Sequence, residues 1–336
     1  MNTRTAALDR FLASSPWSDW ARKPLAGDAS NRRYDRLFAP NGQSVVVMDS
    51  PDDDVRPFVT IARHLRRIGL SAPGILARDP DQGFLVIEDL GDALFATVLG
   101  SRPEREQGLY ALAIDALIAL HQHPPLPDVP RFQPPFDPEF IAIAYGWYCT
   151  AGTGAIPPCA ATFCTELNRL LVKFADDQSV LILRDYHAEN LLVLPGETGV
   201  KSVGLLDFQD AMAGHPAYDL VSLVADARRD VSAETRTAMI DRYITKTGCN
   251  SDAFRAACAV LSAQRNLRIL GVFARLCVAY GKAGYIDLIP RVWGHLMRDL
   301  AHPALGNLRD IVLADLPAPT PDHLQHLRQR CATLPR

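Results

Sequence analysis

The stretch Leu183-Arg184-Asp185-Tyr186-His187-Ala188-Glu189-Asn190-Leu191-Leu192-Val193, followed by Leu205-Leu206-Asp207-Phe208-Gln209-Asp210, decides how this chain is read. Asp185 and Asn190 stand five residues apart, and Asp207 follows Asn190 by 17. The apolar runs around them, residues 181–194 and 203–208, predict two strands separated by the turn Pro195-Gly196. Two carboxylates and an amide held at the edges of such a hairpin suit one chemistry well. One carboxylate accepts a hydroxyl proton, while the other and the amide hold Mg²⁺ against phosphate oxygens. Taken singly, each residue is an ordinary Asx cap of a turn between strands. Together, a D-x4-N pair followed by D-F has the spacing used for phosphoryl transfer on a protein-kinase scaffold.

Upstream, the first ninety residues predict a small sheet crossed by one helix. Residues 32–38 alternate polar and apolar, and Ser44-Val45-Val46-Val47-Met48 is a β-branched buried strand. Between Val55 and Gly69, the side chains Phe58, Ile61, Ala62, Leu65 and Ile68 recur at helical spacing, and Gly69 stops the helix. Residues 75–77 and 83–87 form a second strand pair around the turn Asp79-Pro80-Asp81. Before the first strand, Gly27-Asp28-Ala29-Ser30-Asn31-Arg32-Arg33 supplies the small residues that let backbone N–H groups approach phosphates. Small polar turns are common, so the segment draws its weight from lying upstream of the catalytic cluster. On such a scaffold Glu88-Asp89-Leu90-Gly91, after the strand 85–87, would be where the two lobes join, its backbone hydrogen-bonding the adenine edge.

After Gly91 the chain turns helical. Residues 104–121 carry Leu109, Leu112, Ala113, Ala116, Leu117 and Leu120 on one face. Residues 124–138 hold seven prolines in fifteen positions, a stiff connector. From Tyr218 to about residue 309 helix dominates again. The expected fold class is therefore α+β, protein-kinase-like and two-lobed. Residues 1–90 would form the nucleotide-binding lobe, a small antiparallel sheet with one helix. Residues 91–336 would form the larger, mainly helical catalytic and acceptor-binding lobe.

Composition narrows the function classes. A chain of 336 residues with 48% apolar and 22% charged positions is ordinary globular material. Its net charge of −3 carries no global basic field for nucleic acid or an anionic membrane. The N-terminal segment carries Asp9 and lacks an apolar core, so no secretory signal is expected. Residues 140–165 are uncharged over 26 positions, but Gly146, Gly152, Gly154, Pro157 and Pro158 break them, which predicts a buried helix and a loop rather than a membrane span. Seven cysteines without a CxxC pair read as reduced thiols and place the chain in the cytoplasm.

The segments GDASNRRY, VVVMDSP, GFLVIEDLGD, LRDYHAENLL, LLDFQDAMAGHPAYDLVSL and QRNLRILGVFARL, taken in order, resemble the aminoglycoside-phosphotransferase-like kinases. Within them, the chain is most similar to the anomeric N-acetylmuramate/N-acetylglucosamine kinases of bacterial cell-wall recycling. The resemblance spans residues 25–305 and implies ATP with Mg²⁺ and phosphate transfer to the C1 hydroxyl of an amino sugar. It places Asp185 on the catalytic aspartate and Asn190 and Asp207 on the metal ligands. Nucleotide contacts fall on Gly27, Ala29, Ser30, Asn31, Arg32, Arg33, Glu88 and Leu90. Asp219 falls on the aspartate that braces the catalytic loop from below, a role compatible with an ordinary helix N-cap.

Three departures accompany the resemblance. The usual strand lysine is Met48, and no Lys occurs between Lys23 and Lys173. Arg32 or Arg33 is the local cation for the α/β-phosphates, or else an exposed strand charge. The residue two before Asp185 is Leu183 rather than His, which leaves packing to support the loop. Residues 140–148 are unusually apolar, with Trp147 and Tyr148 either stacking on a sugar or filling the core. His187, Gln209 and Asp210 lie beside the catalytic carboxylates, and Arg265, Arg268 and Arg275 face either the cleft or solvent. Two rivals remain: a kinase of another small-molecule hydroxyl, and a nucleotide-binding module without catalysis, which would have no chemical use for Asp185.

Overall fold

A computed structural model describes residues 3–25, 32–150, 152 and 154–333. In chain order the elements are α1 (Thr3–Ala13), β1 (Ala21–Pro24), β2 (Arg33–Phe38), β3 (Ser44–Asp49), α2 (Arg56–Arg67), β4 (Ile75–Asp79), β5 (Phe84–Glu88), α3 (Phe95–Ser101), α4 (Glu106–His121), α5 (Pro138–Ile141), α6 (Ala160–Phe174), β6 (Val180–Ile182), β7 (Leu191–Val193), β8 (Val203–Leu205), β9 (Met212–Gly214), α7 (Ala217–Val224), α8 (Ala233–Thr247), α9 (Ser251–Val278), α10 (Ile289–Leu300), α11 (Gly306–Asp315) and α12 (Pro321–Gln329). They cluster into two compact units. Unit 1 comprises Met1–Arg105 with Ala188–Ala211, and unit 2 comprises Glu106–His187 with Met212–Arg336.

Unit 1 is built on an antiparallel sheet of order β1-β2-β3-β5-β4. Strand alternation sends Val45 and Val47 of β3, Leu37 of β2, and Phe84 and Val86 of β5 to one face, where they pack with Leu8 and Leu12 of α1. Val46, Met48, Leu85 and Ile87 point the other way and are also buried. From the sequence, one helix, α2, is expected with these strands. The unit also contains α3 and α1, and α1 is fastened to β3 by Arg4, whose Nε donates to Asp49 Oδ1 at 2.8 Å. The Arg4 guanidinium also lies 4.2 Å from the Phe84 ring centroid. Gly69, with φ 87°, ends α2 as its spacing predicts.

The hairpin β7–β8 belongs to the same unit. Leu191 pairs with Leu205 and Val193 with Val203. The hairpin is tied down by Leu205 N–H donating to Ser71 O at 2.8 Å and Val193 N–H donating to Ala93 O at 2.8 Å.

Unit 2 is mainly helical, with the short antiparallel pair β6–β9. Its centre is α9, against which α6, α7 and α10 pack. The long helical stretch is divided where Gly248, at φ 69°, closes α8, and the Asn250 side chain caps α9 by accepting from Ala253 N–H at 2.9 Å. The expected buried helix over the uncharged run is shorter than its composition suggests. α5 stops at Ile141, and a π-helical turn follows over Tyr145–Cys149. Thr150 Oγ1 donates to the Gly146 carbonyl oxygen at 2.6 Å, and Gly146 packs so closely on Gly154 O that a Cβ there would lie 2.8 Å away. Among the described residues no helix is long and apolar enough to cross a membrane.

Candidate active site

Asp185, Asn190 and Asp207 belong to different units. In unit 1, Asn190 precedes β7 and Asp207 follows β8, so the hairpin register brings the two together, and Leu206 N–H donates to Asn190 O at 3.0 Å. Asn190 Nδ2 lies 3.4 Å from Asp207 Oδ2, and Gln209 Nε2 donates to Asp207 Oδ1 at 2.8 Å. Asp207 is held at φ 55°, a left-handed conformation that Asp tolerates better than bulkier residues. The next residue anchors the turn: Phe208 is fully buried and stacks on Phe58 of α2, centroids 4.8 Å apart. An apolar ring pinned to α2 thus fixes the left-handed turn that carries the Asp207 carboxylate.

These donors fit Mg²⁺. They are hard oxygens from one carboxylate and one amide, few enough to leave coordination positions for phosphate oxygens and water. Among the described residues, Gln209 Oε1, adjacent to the pair, is buried and has no hydrogen-bond donor. An unsatisfied acceptor oxygen beside a carboxylate is consistent with a cation, or water bound to one, being held there.

Asp185 lies in unit 2, in the loop that leaves β6. That loop is held from several sides. Asp219 in the first turn of α7 accepts the backbone N–H of Leu183 at 2.6 Å and of Arg184 at 2.8 Å. Burial drives the Asp219 carboxyl up to about 6, while those two N–H donors and Arg265 act in the opposite direction. Arg184 has φ 71°, a costly left-handed turn for an arginine. Its carbonyl accepts from Arg265 Nη1 at 3.1 Å and Ser222 Oγ at 3.3 Å. Arg265 also donates to Ser222 Oγ at 2.6 Å and lies 4.8 Å from the Tyr218 ring centroid. Burial acts to lower the Arg265 guanidinium, yet Tyr218, Asp185 and Asp219 hold it above its ordinary value. On the far side, the Tyr186 hydroxyl donates to Ala113 O of α4 at 2.8 Å. Leu183, where a histidine is usual, is buried at 3% exposure and supports the loop by packing.

Met48 is 1% exposed on the sheet face opposite α1, between Tyr34 and Leu85. Arg32 makes an ion pair with Asp53 at 3.3 Å, and Arg33 opens β2 with an exposed side chain. Glu88 ends β5; its N–H donates to Gly74 O at 2.8 Å and its carboxylate pairs with Arg66 at 2.7 Å. Leu90 is half-buried. Gly27, Ala29, Ser30 and Asn31 lie outside the described residues. His187 is buried, which pushes its imidazole down despite Asp226. Tyr148 is core: fully buried, its hydroxyl donates to Pro317 O at 2.6 Å. Trp147 is half-buried.

Residues 21–256 match the phosphotransferase enzyme family model. The chain belongs to that family. It is 37% identical to the N-acetylmuramate/N-acetylglucosamine kinase of Caulobacter vibrioides, over 91% of this chain and 95% of that one. It is 33% identical to the protein of the same name from Pseudomonas aeruginosa, over 88% of each. A choline/ethanolamine kinase family protein from Mesorhizobium loti shares the fold with a TM-score of 0.59 at 17% identity, covering 97% of this chain and 100% of that one. The chain is a phosphotransferase enzyme with a protein-kinase-like fold: a small antiparallel sheet in its N-terminal region and a mainly helical C-terminal region.

Proposed function

We propose that this phosphotransferase uses ATP to phosphorylate the anomeric C1 hydroxyl of an N-acetylated amino sugar released from peptidoglycan, in the cytoplasm. The observation that carries the reading is the match of nine-tenths of the chain to a relative named for kinase activity on N-acetylmuramate and N-acetylglucosamine. Residues 1–90 serve the nucleotide and residues 91–336 the acceptor and the chemistry. Asp185 accepts the proton of the C1 hydroxyl as its oxygen attacks the γ-phosphorus of ATP. The bond from that phosphorus to the β,γ-bridging oxygen breaks, and ADP leaves. Asn190 and Asp207 hold Mg²⁺, which when bound neutralises charge on the phosphate oxygens. Nucleotide contacts come from Gly27, Ala29, Ser30, Asn31, Arg32, Arg33, Glu88 and Leu90. Most of the rate gain comes from positioning, since phosphoryl transfer demands little covalent work from a protein. The rigid support of Asp185 by Asp219 and Arg265 is in keeping with that.

The test is transfer from Mg-ATP to N-acetylmuramate, N-acetylglucosamine, glucose and an aminoglycoside, with Asp185→Asn as the blank. The expected product, by mass and phosphorus NMR, is an amino-sugar 1-phosphate that is absent from the blank. A phosphate at another carbon, or transfer only to the aminoglycoside, overturns the reading.

A further inference from the structure

The arginines of α9 do different work. Arg265 is committed to the Arg184 carbonyl and Ser222. Arg268 and Arg275 are seven residues apart, two helical turns, and so share a face. Gly271 lies between them on that face, and a Cβ there would lie 2.5 Å from Ile143 C and 2.6 Å from Ala144 N. The missing side chain lets α9 cross directly over this backbone, and the two arginines flank the crossing. Arg268 stands over the Phe140 ring, 4.8 Å from its centroid.

Among the described residues neither Arg268 nor Arg275 has a carboxylate partner. The electrostatic neighbours of Arg268 are Tyr218 and three more arginines, Arg184, Arg275 and Arg265. Burial pushes the Arg268 guanidinium below its ordinary value, and those like charges push the same way. Among the described residues, Arg275 Nε is buried without an acceptor. Arg268 and Arg275 are half-buried, and two guanidiniums partly withdrawn from water without a carboxylate of their own among the described residues are unfavourable until an anion joins them. The planar guanidinium is the side chain best shaped to take a carboxylate with two parallel hydrogen bonds.

We propose that Arg268 and Arg275 form a subsite for a carboxylate on the acceptor, so that an acidic amino sugar of the N-acetylmuramate type is preferred over its neutral counterpart. The proposal rests on the function given above. N-acetylmuramate differs from N-acetylglucosamine by an ether-linked lactyl group on C3, which carries the carboxylate two ring carbons from C1. Arg265, an electrostatic neighbour of Asp185, precedes Arg268 by one turn, a rise of about 4.5 Å. Arg184, the residue before Asp185, is itself an electrostatic neighbour of Arg268, so Arg268 stands within reach of a substituent on a sugar whose C1 hydroxyl meets Asp185.

The experiment compares kcat/KM for N-acetylmuramate and N-acetylglucosamine in the wild type and in Arg268→Gln, Arg268→Lys and Arg275→Gln. Folding is read from the melting midpoint, so any one folded variant suffices. Removing one side of a buried charge pair is expected to lower the muramate-to-glucosamine ratio by roughly 30-fold or more. Arg268→Lys should recover part of it, because charge returns without the planar fork. An unchanged ratio overturns the subsite, including the case where KM for ATP rises and both sugars lose activity alike. Wild-type protein that phosphorylates neither sugar is a different outcome: it removes the proposed function, and the subsite falls with it.

Discussion

Arg265 Nη1 donates to the carbonyl oxygen of Arg184, the residue just before Asp185, across 3.1 Å. Because Arg184 sits at φ 71°, this bond stabilises a backbone turn that would otherwise relax and carry Asp185 with it. Arg265 is therefore a positioning residue. Arg265→Met is expected to lower kcat by about 100-fold while KM for ATP stays within about 3-fold, the cost of truncating a buried hydrogen-bonded charge. Arg265→Lys should regain part of kcat. Steady-state kinetics on protein of confirmed melting midpoint checks this, and a matching rise in KM with kcat intact would remove the role.

The two proposed chemical carboxylates should separate by variant. Asp185→Asn keeps the side-chain shape and removes the base, so kcat is expected to fall by about 10²- to 10⁴-fold. Asp207→Asn suits the left-handed backbone at φ 55° and weakens only the metal ligand. Its kcat should drop by at least about 10³-fold, and raising Mg²⁺ should recover some of that in Asp207→Asn but none in Asp185→Asn. Retention of more than a few per cent of activity by either variant would show the assignment to be wrong.

What the sequence disclosed, and what it withheld, follows from the range of the interactions. The strands β2 to β5 and helix α2 were legible because β-branched runs, a 3.6-residue period and Gly69 are local signals. β9 was not, since Met212-Ala213-Gly214 has little strand character and owes its pairing to β6, thirty residues upstream. α1 lacks a clean apolar stripe and acquires its place from the sheet core and the Arg4–Asp49 pair. The Asn190–Asp207 meeting was readable from spacing on one hairpin. The brace of Arg184 by Arg265 was not, because 81 residues separate the partners and nothing local marks position 184 as left-handed. Whether Arg268 and Arg275 face inward likewise depends on Gly271, whose role appears only when Ile143 and Ala144 arrive beneath it.

Stability should carry the signature of Asp299. Its carboxylate accepts from Ser262 Oγ at 2.6 Å and Asn266 Nδ2 at 2.8 Å, and burial drives it up to about 7 from an ordinary 3.8. The folded state holds this proton after the unfolded chain has released it. The associated stability is thus full below pH 3.8 and is lost as pH rises through about 7. Asn cannot titrate, so the melting midpoint of Asp299→Asn relative to wild type should rise steadily between pH 4 and pH 7. Buried histidines that titrate in the same range cancel in this difference. A flat difference from pH 4 to pH 8 would mean that Asp299 is ionised in the fold throughout.

Gly271 gives the sharpest steric prediction. The Cβ of an alanine there would lie 2.5 Å from Ile143 C and 2.6 Å from both Ala144 N and Ile143 O, all backbone atoms that no rotamer change can move aside. Helix propensity favours alanine over glycine by about 1 kcal/mol, so in an isolated helix the change would stabilise. Here overpacking reverses the sign, because α9 must withdraw from a segment it now touches, at a cost of about 1–3 kcal/mol or more. The expected result for Gly271→Ala is a lower melting midpoint. KM for the acceptor should also rise, since Arg268 and Arg275 move with α9, while KM for ATP should change less. An unchanged or raised midpoint would show that the crossing is looser than these distances imply.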